Sequence, residues 1–113
     1  MRFSAIDRAT TAPAIRQAKG PVAIIIAEDD VEIDTTVRHH GFAGFRTIIL
    51  VAPPEIALGP DVTEKVIRID HPTRAPDATE VVVNAIAAAL PEKTWLYYCY
   101  NAEYLFYPYT ESR

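Results

Sequence analysis

Pro21-Val22-Ala23-Ile24-Ile25-Ile26-Ala27 runs directly into Glu28-Asp29-Asp30. The first part is an unbroken apolar run rich in β-branched side chains. Continuous rather than alternating hydrophobicity marks a strand covered on both faces, as in a parallel sheet. The acidic turn after it opens a helix. Asp29 and Glu32 have capping-box spacing for a helix over about 30–40, which Gly41 ends.

The same reading extends along the chain. Thr47–Ala52 is a second buried strand, stopped by Pro53-Pro54, and Lys65–Asp70 is a third, alternating strand. Residues 53–64 between them include Gly59-Pro60 and are barely long enough for a crossover, with room for one helical turn around 55–58. Asp77 and Glu80 form another capping box, and Val83, Ile86, Ala87 and Leu90 share one helix face up to Pro91. Trp95–Tyr100 is the fourth strand. Ahead of the first strand, Thr11 can cap a short helix over 13–19, with Pro13 in its first turn and Gly20 as its stop. That helix is expected to cover an edge or face of the downstream core.

Strands and helices therefore alternate, which predicts an α/β fold: a small Rossmann-like, three-layer domain with a mainly parallel four-stranded sheet. The 113 residues suffice for a single domain, with 1–20 as an N-terminal extension and 21–108 as the core. In such sheets ligands bind beyond the carboxyl ends of the strands. The residues falling there are Glu28, Asp29 and Asp30; Pro53 and Pro54; Asp70 and His71; and Asn101 to Glu103. Acidic groups gather at three of the four ends, where they could bind a cation or accept hydrogen bonds from sugar hydroxyls.

Composition narrows the function classes. The net charge of −4 and the lack of a Lys/Arg cluster argue against a nucleic-acid surface. A single cysteine, Cys99, excludes an internal disulfide and reads as a small core residue. No apolar run is long enough for a membrane span, and residues 1–20 lack the apolar centre of a signal peptide, so a cytoplasmic protein is the expectation.

Three ordered segments carry a family resemblance: Ile24 to Asp30; Val37-Arg38-His39-His40-Gly41-Phe42-Ala43-Gly44-Phe45 with Thr47 to Leu50; and Trp95 to Pro108. Together they resemble the N-terminal, nucleotide-binding half of a GT-A glycosyltransferase of the family-2-like group. The resemblance implies a GT-A-like core over 21–108. It implies that Ala27, Glu28 and Asp70 contact base or ribose of a UDP-type nucleotide or nucleotide-sugar. It also implies a divalent cation, Mn²⁺ or Mg²⁺, held by an Asp-x-Asp-Glu signature. Here Glu103-Tyr104-Leu105 keeps the end of that signature, whereas Tyr100 and Ala102 stand at the aspartate positions. An alanine methyl offers a hard cation nothing, which leaves Glu103 as the one weak metal candidate and no cofactor established. No catalytic residue is assigned. GT-A enzymes build their acceptor site from later chain, so the expectation is a fragment or degenerate relative that is inactive alone. It would partner a missing C-terminal half or another subunit.

Other readings stand beside this one. Asp29 also reads as a plain helix cap, and Asp70 as a turn residue before Pro72. His39 and His40, adjacent on a helix, point in different directions and read as helix-end residues. Tyr104, Phe106, Tyr107 and Tyr109 are candidates for an exposed aromatic interface, in a run that also holds Tyr97, Tyr98 and Tyr100. There are two alternative functions: a non-catalytic interaction or regulatory module on the same scaffold, and a receiver-like domain with Asp70 as phosphoacceptor. The receiver reading lacks a fifth strand with its lysine, and Tyr100 stands at the usual Ser/Thr position.

Overall fold

The computed structural model describes residues 1–27, 37, 44–59, 63, 66–73, 78–100 and 110–111. In chain order these form β1 (Arg2–Phe3), α1 (Ile6–Thr10), α2 (Pro13–Arg16), β2 (Val22–Ile26), β3 (Thr47–Ala52), β4 (Ile67–Asp70), α3 (Ala78–Ala89), β5 (Trp95–Tyr100) and β6 (Thr110–Glu111). The strands make one sheet in the order β1-β4-β3-β2-β5-β6. The first five of these are mutually parallel, and β6 lies antiparallel on β5.

The α/β class and the mainly parallel sheet are as the sequence predicts, but the sheet is wider than four strands. Both additions, β1 and β6, are only two residues long. Strands that short have no hydrophobic period to read. They exist because the edges of β4 and β5 offer unpaired backbone groups.

β2 pairs with β3 on one side and with β5 on the other, setting Ile24 opposite both Ile49 and Tyr98. Alternate side chains go to opposite faces, and each face has its own core. On one side Val22, Ile24, Ile26, Ile49, Val51 and Ile69 pack with Ala9, Ile15, Val82, Ile86 and Leu90 of the helical layer. On the other Ala23, Ile25, Ala27, Ile48, Leu50 and Ala52 pack with Val37, Phe45, Ile56 and Val66. Both faces of the sheet are thus covered, and segment 1–20 supplies an edge strand as well as buried Ala9 and Ile15.

Local details depart from the sequence reading in instructive ways. In α3 the buried stripe is Val82, Ile86 and Leu90, with Val83 and Ala87 only partly buried. Packing on the sheet rotates the helix slightly from the predicted face. α2 ends at Arg16, and its N-cap is Ala12. The Thr11 hydroxyl instead donates to the carbonyls of Asp7 and Arg8, closing the end of α1. No helical turn forms at 55–58: the Ile56 amide donates to the Pro53 carbonyl, and among the described residues of 53–64 the helical one is Thr63, whose amide donates to the Gly59 carbonyl. Burial of Ile56 in the second core fixes that shape. Of the helix predicted over 30–40, Val37 lies within the described residues, and it is helical and buried.

Gly20 does not stop a helix. A Cβ there would sit 2.9 Å from Thr94 Cγ2 and 3.4 Å from the Trp95 amide nitrogen. Thr94 cannot easily turn aside, because it is buried and its hydroxyl donates to the Pro91 carbonyl at 2.6 Å. Gly20→Ala should therefore lower stability by about 1–3 kcal/mol through overpacking. Adding Thr94→Ser, which removes the opposing methyl, should recover much of that loss. Chemical denaturation reads both effects, and an unchanged midpoint for Gly20→Ala would contradict the close approach.

Candidate functional site at the strand ends

β3 and β4 lie to one side of β2, and β5 lies to the other. The chain reverses its direction of travel across the sheet at β2. In doubly wound sheets that reversal opens a crevice outside the carboxyl ends of the two diverging strands. The described residues at this end are Ala27 after β2, Pro53 and Pro54 after β3, and Asp70, His71 and Thr73 after or at the end of β4.

Backbone and side-chain hydrogen bonds lace these ends together. The Ala27 amide donates to the Val51 carbonyl and the His71 amide donates to the Ala52 carbonyl, each at 2.9 Å. The buried Thr73 hydroxyl donates to the Ala27 carbonyl at 2.7 Å. Ala27 itself is fully buried, with both of its backbone polar groups engaged. The parallel ladder therefore continues past the strands into the turns that bear the rim. Burial also pushes the His71 imidazole below the ordinary histidine value, because desolvation penalises its charged form.

Asp70 is held more tightly than a surface rim residue. Arg68 Nε donates to one carboxylate oxygen at 3.1 Å, and Arg2 Nε donates to the other at 3.0 Å. The same guanidiniums also grip the turn after β3. Arg68 Nη2 donates to the Pro53 carbonyl at 2.9 Å, and Arg2 Nη2 donates to the Pro54 carbonyl at 3.2 Å. Pairing of Arg2 with Arg68 across β1 and β4, and the two-residue step from Arg68 to Asp70, put all three on one face. The Arg68 and Asp70 side chains are only 6% and 11% exposed, whereas that of Arg2 is 53% exposed.

The site residues named from sequence divide accordingly. Ala27 and Asp70 are at strand ends two strands apart in the sheet, and both are engaged in internal contacts. Glu28, Glu103, Tyr104, Phe106, Tyr107 and Tyr109 lie outside the described residues. Among the described residues no group of three or more His, Cys, Asp or Glu side chains could hold a metal ion. Of the aromatic run, Tyr97 packs against Phe45 with ring centres 6.0 Å apart, while Tyr98 is 48% exposed on the opposite face of β5. Sequence reasoning missed Thr73, Arg2 and Arg68. The Arg68-Ile69-Asp70 spacing was a usable signal, since residues two apart in a strand share a face. Nothing local pointed to Arg2.

The two arginines should not be equivalent. Asp70→Asn leaves the buried Arg68 guanidinium uncompensated and should cost about 3–5 kcal/mol. Arg2→Gln removes an exposed partner and should cost no more than about 1 kcal/mol. Equal losses in denaturation midpoints would contradict this assignment. No helix of the described residues is long and apolar enough to cross a membrane. Comparison with protein families, with curated proteins and with solved structures found no match to this chain.

Proposed function

We propose that the chain is a glycosyltransferase-like domain that binds a UDP-type nucleotide or nucleotide-sugar outside the ends of β2 and β5, and that it does not transfer sugar alone. The observation that carries this reading is the strand order, with β2 flanked by β3 and β5 at the point where the chain changes direction. That is the position at which doubly wound sheets take nucleotides. The Glu28-Asp29-Asp30 sequence after β2 has no glycine to cradle a diphosphate. Its carboxylates suit ribose hydroxyls or base N–H groups instead. Glu28 is the proposed contact, and buried Ala27, fixed by Val51 and Thr73, anchors the backbone that leads into it. Asp70, with both oxygens taken by arginines, is proposed as a positioning residue for the rim. Tyr100 and Ala102, at the two Asp-x-Asp positions, argue against metal-assisted transfer by this chain.

A second reading, a non-catalytic interaction module, draws support from Asp70 being spent on internal pairing and from the exposure of Trp95 and Tyr98 on β5. The receiver-like reading loses ground for two reasons. A phosphoacceptor needs a free carboxylate oxygen. A receiver sheet also sets the third of its strands beside the first, whereas β4 pairs with β3 and not with β2.

Amide NMR of the full chain during titration with UDP and Mg²⁺ tests the proposal. Saturable shifts are expected at Ala27 and Thr73, at the β2 side of the rim. Absence of shifts at millimolar UDP would remove nucleotide binding and leave the interaction module.

A further inference from the structure

A separate cavity of about 300 Å³ opens beside β1 and β4, under the turn after β3. Its walls include Pro54, Ile56, Ala57 and Leu58, and Arg2 and Arg68 line it as well. Largely apolar walls with a few fixed polar groups are the ordinary make-up of a small-ligand pocket, and the volume falls at the lower end of the usual range of about 300–1,000 Å³.

Its electrostatics are unbalanced. Two guanidiniums share one carboxylate, Asp70, so the cluster keeps one uncompensated positive charge. Glu55 also lines the cavity, but it is exposed and has an interaction of its own. Asp70 and the Pro53 and Pro54 carbonyls take the Nε and Nη2 groups of the arginines. Among the described residues, neither Nη1 group donates a hydrogen bond. No side-chain nitrogen or oxygen there is both sealed from solvent and unpartnered. Arg68, whose side chain is only 6% exposed, lines this cavity. A partly desolvated charge held rigid by Asp70 and Pro53 is primed for an anion, since little ordering remains to be done.

We infer that this cavity binds a small monocarboxylate with an apolar body, its carboxylate on Arg68 and Arg2 and its body against Ile56 and Leu58. A guanidinium matches a carboxylate in shape and charge. One surplus positive charge is balanced by a monoanion, and a dianionic phosphate would leave excess negative charge beside Asp70. The site lies at the β1–β4 edge, away from the β2–β5 crevice, and does not depend on nucleotide binding there.

The experiment is NMR of the full chain, reading the Arg68 Nε–H and the Ile56 and Leu58 methyl groups during titration with butyrate. Butyramide serves as the neutral probe and inorganic phosphate as the other anion. Saturable shifts with butyrate are expected, absent with butyramide and weaker with phosphate. Arg68→Met should weaken butyrate by at least about tenfold, the loss expected for one charge-assisted hydrogen bond. Ala57→Phe, which adds bulk to the exposed lip of the cavity and leaves the arginines in place, should weaken it by a similar factor and decides the matter if Arg68→Met does not fold. Linear, unsaturable shifts with butyrate, equal binding of butyramide, tighter binding of phosphate, or unchanged affinity in Ala57→Phe would each overturn the inference.

Discussion

The five side chains of β2, Val22 to Ile26, are closed to water on both faces of the sheet. Each fully buried isoleucine among them contributes about 1.5–3 kcal/mol of apolar transfer. That gain requires covering layers above and below, and it forbids unpaired backbone groups in the strand. Neighbours on both sides, β3 and β5, meet the second condition. The helical layer with Ala9, Ile15 and Ile86 on one face, and Val37, Phe45 and Ile56 on the other, meet the first. The covering of the sheet on both faces is a consequence of that single strand.

Towards the β1 edge, charge is added to apolar burial. The two-residue strand is held by Phe3 packing against the core that also contains Ala9 and Ile15. In addition Arg2 reaches across to Asp70 and to Pro54, and Arg68 ties the same carboxylate to Pro53. The clamp joins the ends of β1, β3 and β4 and blunts the exposed edge of the sheet. It also explains why a carboxylate at a strand end, normally the first suspect for ligand contact, is occupied by internal partners. The two arginines of the clamp also line the adjoining cavity.

The core of this fold was legible because its determinants are local. Val22–Ile26 and Thr47–Ala52 are apolar runs whose burial on both faces follows from composition, and the strand bounds at 47–52 and 95–100 agree with the sequence reading. What could not be read is non-local. β1 needs β4 as a template, the tight fit at Gly20 depends on Thr94 some seventy positions later, and Arg2 meets Asp70 across 68 residues. α3 shows the intermediate case: periodicity located the helix, while contact with the sheet set Val82, Ile86 and Leu90 as the inner stripe. At the rim, Asp70 was picked out by its place in the topology, but its employment was settled by partners that sequence spacing reveals only for Arg68.

Function is tied to topology through β2. Nucleotide binding at the crevice is the proposal that rests on β5 lying beside β2, with β4 on the far side of β3. A receiver-type order would bring β4 next to β2 and move the switch point elsewhere. Interstrand NOEs on the labelled full chain test this most directly. The account predicts contacts from the backbone around Ile24 to that around Ile49 on one side and Tyr98 on the other. Direct β2-to-β4 backbone contacts, for example between Ile24 and Ile67, would contradict it.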